Sequence, residues 1–179
     1  MTPIVLLDTC SIANFGVVHR LPLLMGVLAG QGRWTEAIAW ETRKLELPMG
    51  SLPQLQAALG EPYIFDDLRD IDRIDTIRRA LGGTSRKATE HLGEAQTIFA
   101  VAHVPELKGA RVLTDDANAA QYARSQGIRT MSTHGVLRSA YQQNLLQCPQ
   151  PFDILIEMQG RGRWVSVPSD HSGICPSRL

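Results

Sequence analysis

Apolar residues recur along this chain in two distinct rhythms. Two short runs, PIVLLD at 3–8 and ARVLTDD at 110–116, are apolar without alternation, and IRTMS at 128–132 reads as a third strand. That pattern suits strands buried on both faces, as in a parallel sheet. Between them the spacing becomes helical. The stretch IANFGVVHRLPLLMGVLAG predicts one helix, or two broken around Pro22, stopped by Gly30 and Gly32. A very short strand at 33–35 feeds a helix through TEAIAWETRKLEL, with Thr35 placed to cap it. Ser51 opens a short helix, and PYIFDD is a further short strand. Leu68, Ile71, Ile74, Ile77 and Leu81 predict a helix ended by Gly82-Gly83. Ala88, Leu92, Ala95, Phe99 and Ala102 form one stripe over 84–104, closed by Pro105. ANAAQYARSQG and THGVLRSAYQQNLL each read as a helix. Near the end, Phe152, Leu155, Ile156 and Gln159 favour a helix starting at Pro151 over a strand pair turning at 160–162. The last dozen residues are expected to be loosely ordered.

Strands alternating with helices predict right-handed crossovers and an α/β fold. The expected architecture is a three-layer α/β/α sandwich around a mostly parallel sheet, with a C-terminal helical extension. Residues 1–138 are assigned to the α/β domain, and 139–179 to an extension packed on it or following it. With 179 residues and 44% hydrophobic content, the chain can bury one proper core. Lys plus Arg and Asp plus Glu both total 18, so no strongly basic coat exists, although local basic patches remain open. No apolar run is long enough for a spanning helix, and MTPIVLLDTC lacks a basic leader. The expected compartment is the cytoplasm, which fits three scattered cysteines without a CxxC pair.

In such folds chemistry gathers at the carboxyl ends of the strands. Asp8 ends the first strand, and Asp115 and Asp116 end a later one. Either Asp8 or Asp116 alone could cap the helix that follows it. Two further acids stand out. Glu41 lies four residues from both Ala37 and Leu45, on an otherwise apolar helix face. Glu94 follows Gly93, which leaves room for close approach. Clustered carboxylates repel one another, and a hard divalent cation with oxygen ligands removes the conflict. His91 and Glu94 share a helix face, but an i, i+3 pair is a weak metal signal.

The motifs LLDTCSI, WETRKL, HLGEAQTIFAVA and VLTDDANAAQYARSQGIRTMSTHGVL keep the order found in the PIN domain family, which this chain resembles over roughly residues 3 to 138. The resemblance implies a metal-dependent ribonuclease, with Asp8, Glu41, Glu94 and Asp116 as a catalytic quartet holding one or two Mg2+ or Mn2+ ions. Asp115 becomes an additional or supporting ligand. Thr9, Ser11 and Thr114 become auxiliary hydroxyls. Cys10 stands where the family often has Asn or Ser, so direct polar help from that position is in question. Many free-standing bacterial members are toxins of toxin–antitoxin pairs, so the implied partners are an RNA substrate and an antitoxin protein, with no membrane.

The basic pairs Arg43-Lys44, Arg78-Arg79 and Arg86-Lys87 are candidates for gripping phosphates. The apolar surplus around Leu21 to Leu28 makes a homodimer or partner surface an expectation. The alternative function is a catalytically silent PIN-like scaffold working through protein or RNA contacts. A phosphotransfer receiver would want a Lys that RTMSTHG lacks, a phosphatase would want Asp in place of Cys10, and a dinucleotide-binding domain would want GxGxxG after the first strand.

Overall fold

In the computed structural model, which describes residues 3–175, Val5 and Leu7 point into one apolar core and Leu6 into another. The same split recurs one strand over, with Leu113 in the first core and Val112 in the second. Alternation of side chains across a pleated strand requires this once both faces are covered. The sheet is parallel throughout, in the order β2-β1-β3-β4, with β1 Val5–Leu7, β2 Gly32–Arg33, β3 Arg111–Leu113 and β4 Arg129–Met131. Helices cover both faces, so the architecture is the expected three-layer α/β/α sandwich.

The first core packs α1 (Thr9–Val17), α2 (Leu21–Leu28), α3 (Glu36–Thr42) and α4 (Ser51–Leu59) against the sheet. The second packs α5 (Leu68–Ala80), α6 (Leu92–His103) and α7 (Ala117–Ser125) on the other face. After β4, α8 (Thr133–Gln142) and α9 (Gln150–Gly160) return to the first core through Val136, Leu137, Ile154, Leu155 and Met158. The boundary expected after residue 138 therefore falls inside α8. α9 is helical, as Pro151 in its first turn favours, and the strand-pair alternative for this segment does not occur.

The long apolar stretch after β1 divides into α1 and α2. His19 at φ 55° breaks the backbone path, and Pro22 fits the first turn of α2, where its missing N–H costs nothing. Leu21, Leu24, Val27 and Leu28 are buried within the chain itself. The apolar surplus behind the homodimer expectation is thus absorbed internally by this face.

Five local expectations are corrected. The helix predicted over 84–104 begins only at Leu92. His91 adopts φ 59°, and the preceding turn gives its Thr84 and Lys87 carbonyls to the buried Arg78 guanidinium at 3.0 and 3.3 Å. Arg78 also pairs with Asp75 at 2.7 Å, so it serves this turn and is not available to a phosphate. PYIFDD forms no strand; Tyr63 makes a single bridge to Thr35, donating to the Trp34 carbonyl and accepting from Glu36 N–H. Thr35 holds the N-cap position of α3 without a side-chain cap bond. Part of the tail is also ordered, since Ile174 and Cys175 are buried after a 3-10 turn at His171–Gly173. Residues 176–179 lie outside the described residues.

Candidate active site

Asp8 sits where β1 becomes α1, only 4% exposed, and occupies the N-cap position without using its side chain as a cap. Its carboxylate turns instead toward β3. Oδ2 accepts from the Thr114 hydroxyl at 2.7 Å and from the Cys10 thiol at 2.9 Å. The capping explanation thus fails for Asp8. Burial pushes its pKa up, and hydrogen bonding from the Cys10 and Thr114 side chains and the Cys10 and Thr9 backbone only partly offsets this.

Parallel pairing of β1 with β3 brings Asp8 level with the turn after Leu113, because Asp8 N–H donates to the Leu113 carbonyl at 3.0 Å. The same Thr114 hydroxyl accepts the Asp116 N–H at 3.1 Å. Asp116 does act as a cap, its Oδ1 accepting from Ala119 N–H at 2.7 Å at the start of α7. Asp115 plays another part. It accepts the Asn14 side-chain N–H at 2.8 Å, the Thr133 N–H at 2.9 Å and the Thr133 hydroxyl. Both its oxygens are taken by protein donors, so it ties the β4–α8 junction to α1. The doubled acid after β3 therefore resolves into one cap and one tether.

Glu41, in the last turn of α3, accepts the Thr9 hydroxyl at 2.5 Å. Its pKa is raised by burial first and by the Asp8 charge beyond that. Glu94 lies in the first turn of α6, with His91 Nδ1 3.5 Å away. Burial raises its pKa, and Asp8 and Glu41 add to the rise. Gly93 explains how α3 and α6 approach so closely. A Cβ there would meet Ile38 Cδ1 at 2.5 Å and the Glu41 carboxylate oxygens at 3.2 and 3.3 Å.

Three acids, from the end of β1, α3 and α6, thus feel one another's charge, and Asp116 is tied to Asp8 by its backbone N–H on the Thr114 hydroxyl while its carboxylate caps α7. Hard, partly desolvated carboxylate oxygens are the donor chemistry that suits Mg2+ or Mn2+. Among the described residues no three His, Cys, Asp or Glu side chains stand together as a ready-made metal cage. Glu41 is held by Thr9, the residue after Asp8, and Glu94 lies 3.5 Å from His91 Nδ1. A hard cation is matched by the chemistry of this donor set.

The auxiliary positions separate. Thr9 and Thr114 each hold an acid of the set, whereas Ser11 donates to the Leu113 carbonyl at 3.4 Å and joins α1 to β3. Cys10 does supply polar help. Its thiol donates to Asp8 and accepts Asp115 N–H at 3.4 Å, and burial together with the Asp8 charge keeps it protonated. Arg43 and Lys44 are exposed at the end of α3, and the Lys44 ammonium lies 2.9 Å from the Trp40 ring centroid. Arg86 and Lys87 are exposed in the turn before α6. Thr89 of that turn borders a cavity of about 280 Å³ together with Trp40 and Glu41.

Asn14 and Arg163 escape the sequence reading. Buried Asn14 donates to Asp115 and to the Thr133 hydroxyl, and accepts from Arg163 Nε at 2.7 Å. A polar residue inside the apolar run IANFG was the one available signal for Asn14. Arg163 had none, because its partner is 149 positions away.

The family model described as "DUF3368: PIN domain" matches residues 4–169 of the chain. No curated protein and no solved structure matches it.

Proposed function

The chain belongs to the PIN domain family, a nuclease fold, and on that premise we propose that it is a divalent-metal-dependent ribonuclease acting on single-stranded or looped RNA. The observation that carries this reading is Asp8. It is a buried acid at a strand end, it does not cap its helix, and its charge reaches both Glu41 and Glu94. A fold gains nothing in stability from three mutually repelling, desolvated carboxylates, so a reaction is the better account of them.

Asp8, Glu41, Glu94 and Asp116 would hold one or two Mg2+ or Mn2+ ions, with Asp115 supporting from behind. When bound, such ions supply Lewis acidity at the scissile phosphate and lower the barrier to attack by water. Thr114 holds the Asp8 carboxylate in one orientation, and Thr9 does the same for Glu41. Burial around Asp8 excludes bulk water from the acid side of the cleft. The P–O3′ bond breaks, leaving a 5′ phosphate and a 3′ hydroxyl, so the ribose 2′-hydroxyl is not consumed. Exposed Arg43, Arg86 and Lys87, with Lys44 once it leaves the Trp40 ring, would meet the phosphate backbone. The biological role proposed is the toxin of a toxin–antitoxin pair in the cytoplasm, restrained by an antitoxin protein. No helix among the described residues is long and apolar enough to cross a membrane.

A second reading, the catalytically silent scaffold, is favoured by one observation: no ready-made cage of three ligands stands among the described residues. Purified protein and its Asp8→Asn variant, incubated with labelled single-stranded RNA in manganese, magnesium or EDTA, separate the two. Metal-dependent cutting by the parent alone, with 5′ phosphate ends, supports the nuclease. No cutting, combined with no manganese binding by calorimetry, favours the scaffold.

A further inference from the structure

Trp164 is 94% exposed, which is unusual for the largest apolar side chain, and it forms a wall shared by two cavities. One, of about 380 Å³, is bordered by Asp115, Asp116, Arg124, Ser132 and Ser166; the other, of about 480 Å³, by Gln159, Arg163 and Ser166. The preceding residue anchors the backbone from which the indole projects. Arg163 Nε donates to Asn14 Oδ1 at 2.7 Å, and its Nη2 lies 3.5 Å from the Cys10 carbonyl. The segment after α9 is thereby pinned to α1, two residues past Asp8. Arg124 reaches into the same cavity, its Nη1 donating to the Thr130 hydroxyl at 3.1 Å.

We propose that Trp164 is a base-stacking platform, taking an unpaired nucleobase of the RNA beside the scissile position, with Arg124 meeting a neighbouring phosphate. The proposal rests on the nuclease reading for its substrate and extends it to a specific subsite. Every nucleobase has a π-face, so an exposed indole next to a cleft accepts unpaired bases with little sequence demand. Single strands suit this geometry because their bases can be splayed from the backbone, whereas a duplex keeps them stacked. The surroundings favour nucleic acid over a protein partner. Aromatic anchors of protein interfaces sit in dry apolar pockets, while the cavity this indole shares with Arg124 is lined largely by polar side chains, Thr130, Ser132 and Ser166 among them.

The test is equilibrium binding of the full chain to a short labelled oligoadenylate, read by fluorescence anisotropy in calcium. Trp164→Ala is expected to weaken binding roughly 5- to 150-fold, the range for loss of one stacked base. Trp164→Phe is expected to restore most of the affinity. An oligonucleotide with abasic positions should bind the parent more weakly and Trp164→Ala no more weakly still. Because the indole is exposed, neither substitution removes core packing, and an unchanged melting temperature verifies this. Equal binding by parent and Trp164→Ala, or no binding by the parent, overturns the subsite. In the first case the indole takes no part in RNA binding. A parallel manganese cleavage assay keeps the two readings apart. RNA bound through Trp164 without any cutting leaves the subsite standing and removes the nuclease. Cutting by parent and Trp164→Ala at the same KM does the reverse.

Discussion

The Thr114 hydroxyl stands between two acids, donating to Asp8 Oδ2 at 2.7 Å while accepting the Asp116 N–H at 3.1 Å. One rotor therefore fixes the relative position of groups that arrive from β1 and from the turn after β3. Thr114 is 3% exposed, so water cannot readily replace it. Thr114→Val keeps the shape and removes both bonds. It is expected to cost about 1–3 kcal/mol of stability, the usual range for a buried polar group losing its partner. Cleavage should fall about 10- to 100-fold, as when a group orienting a ligand is lost. Thr114→Ser should recover most of both. A Thr114→Val enzyme with parental kcat would show that the hydroxyl only packs.

Asp8→Asn gives a prediction of opposite sign for stability and activity. Both side-chain bonds to Asp8 fall on one oxygen, Oδ2, so the amide oxygen can accept them in the same place. The variant should fold, lose cleavage, and be more stable than the parent in metal-free buffer at neutral pH. The sign follows from the raised pKa of the buried acid. Below the unfolded value, near 4, Asp8 is neutral in both states and its stabilising contribution is fully present. That contribution is lost as pH rises through the higher folded value. The difference in Tm between Asp8→Asn and parent should therefore be small in acid and widen toward neutral pH, by about 2–4 °C for each kcal/mol. A difference independent of pH would mean that Asp8 is not held in an unfavourable charged state.

Glu41 and Glu94 share the predicament, since each has a pKa raised by burial and by neighbouring acids. A hard cation relieves all three at once. Manganese should accordingly raise the Tm of the parent, with about 2.7 kcal/mol gained at a hundred times Kd. Asp8→Asn should blunt the rise, and Glu41→Gln and Glu94→Gln should each reduce it. A melting curve unmoved by millimolar manganese would leave the carboxylates without a cation.

The elements carrying these acids were legible because their signals are local. PIVLLD and ARVLTDD are uninterrupted apolar runs, and such runs have few outcomes besides a buried parallel strand. Their pairing put Asp8 beside Thr114, as strand-end logic anticipates. Less legible was anything decided by a distant partner. The helix stripe through Ala88 and Leu92 gave no hint that Arg78 would take the carbonyls of that turn. Asp115 and Asp116 look alike in sequence, and only Thr133 and Ala119 tell them apart. Arg163 and Trp164 lie in a segment whose period carries no information about which face of the domain it will meet.

Gly93 offers the sharpest steric test of how the acids are brought together. It lies in the first turn of α6 beside Glu94 and packs against α3, at a conformation open to any residue, so alanine there meets no backbone penalty. The added methyl would stand 2.5 Å from Ile38 Cδ1 and 3.2 Å from the nearer Glu41 oxygen. Ile38 is fully buried and has little room to retreat. Overpacking of this kind typically costs about 1–3 kcal/mol. Part of that cost is offset by the better helix propensity of alanine, about 1 kcal/mol. The larger consequence should be functional. Separating α3 from α6 moves Glu41 away from Glu94, so manganese affinity should fall and cleavage with it. Gly93→Ser, with a similar Cβ, should behave alike. If Gly93→Ala kept both parental manganese affinity and parental kcat, the close approach of the two helices would be a packing feature unrelated to the placement of the acids.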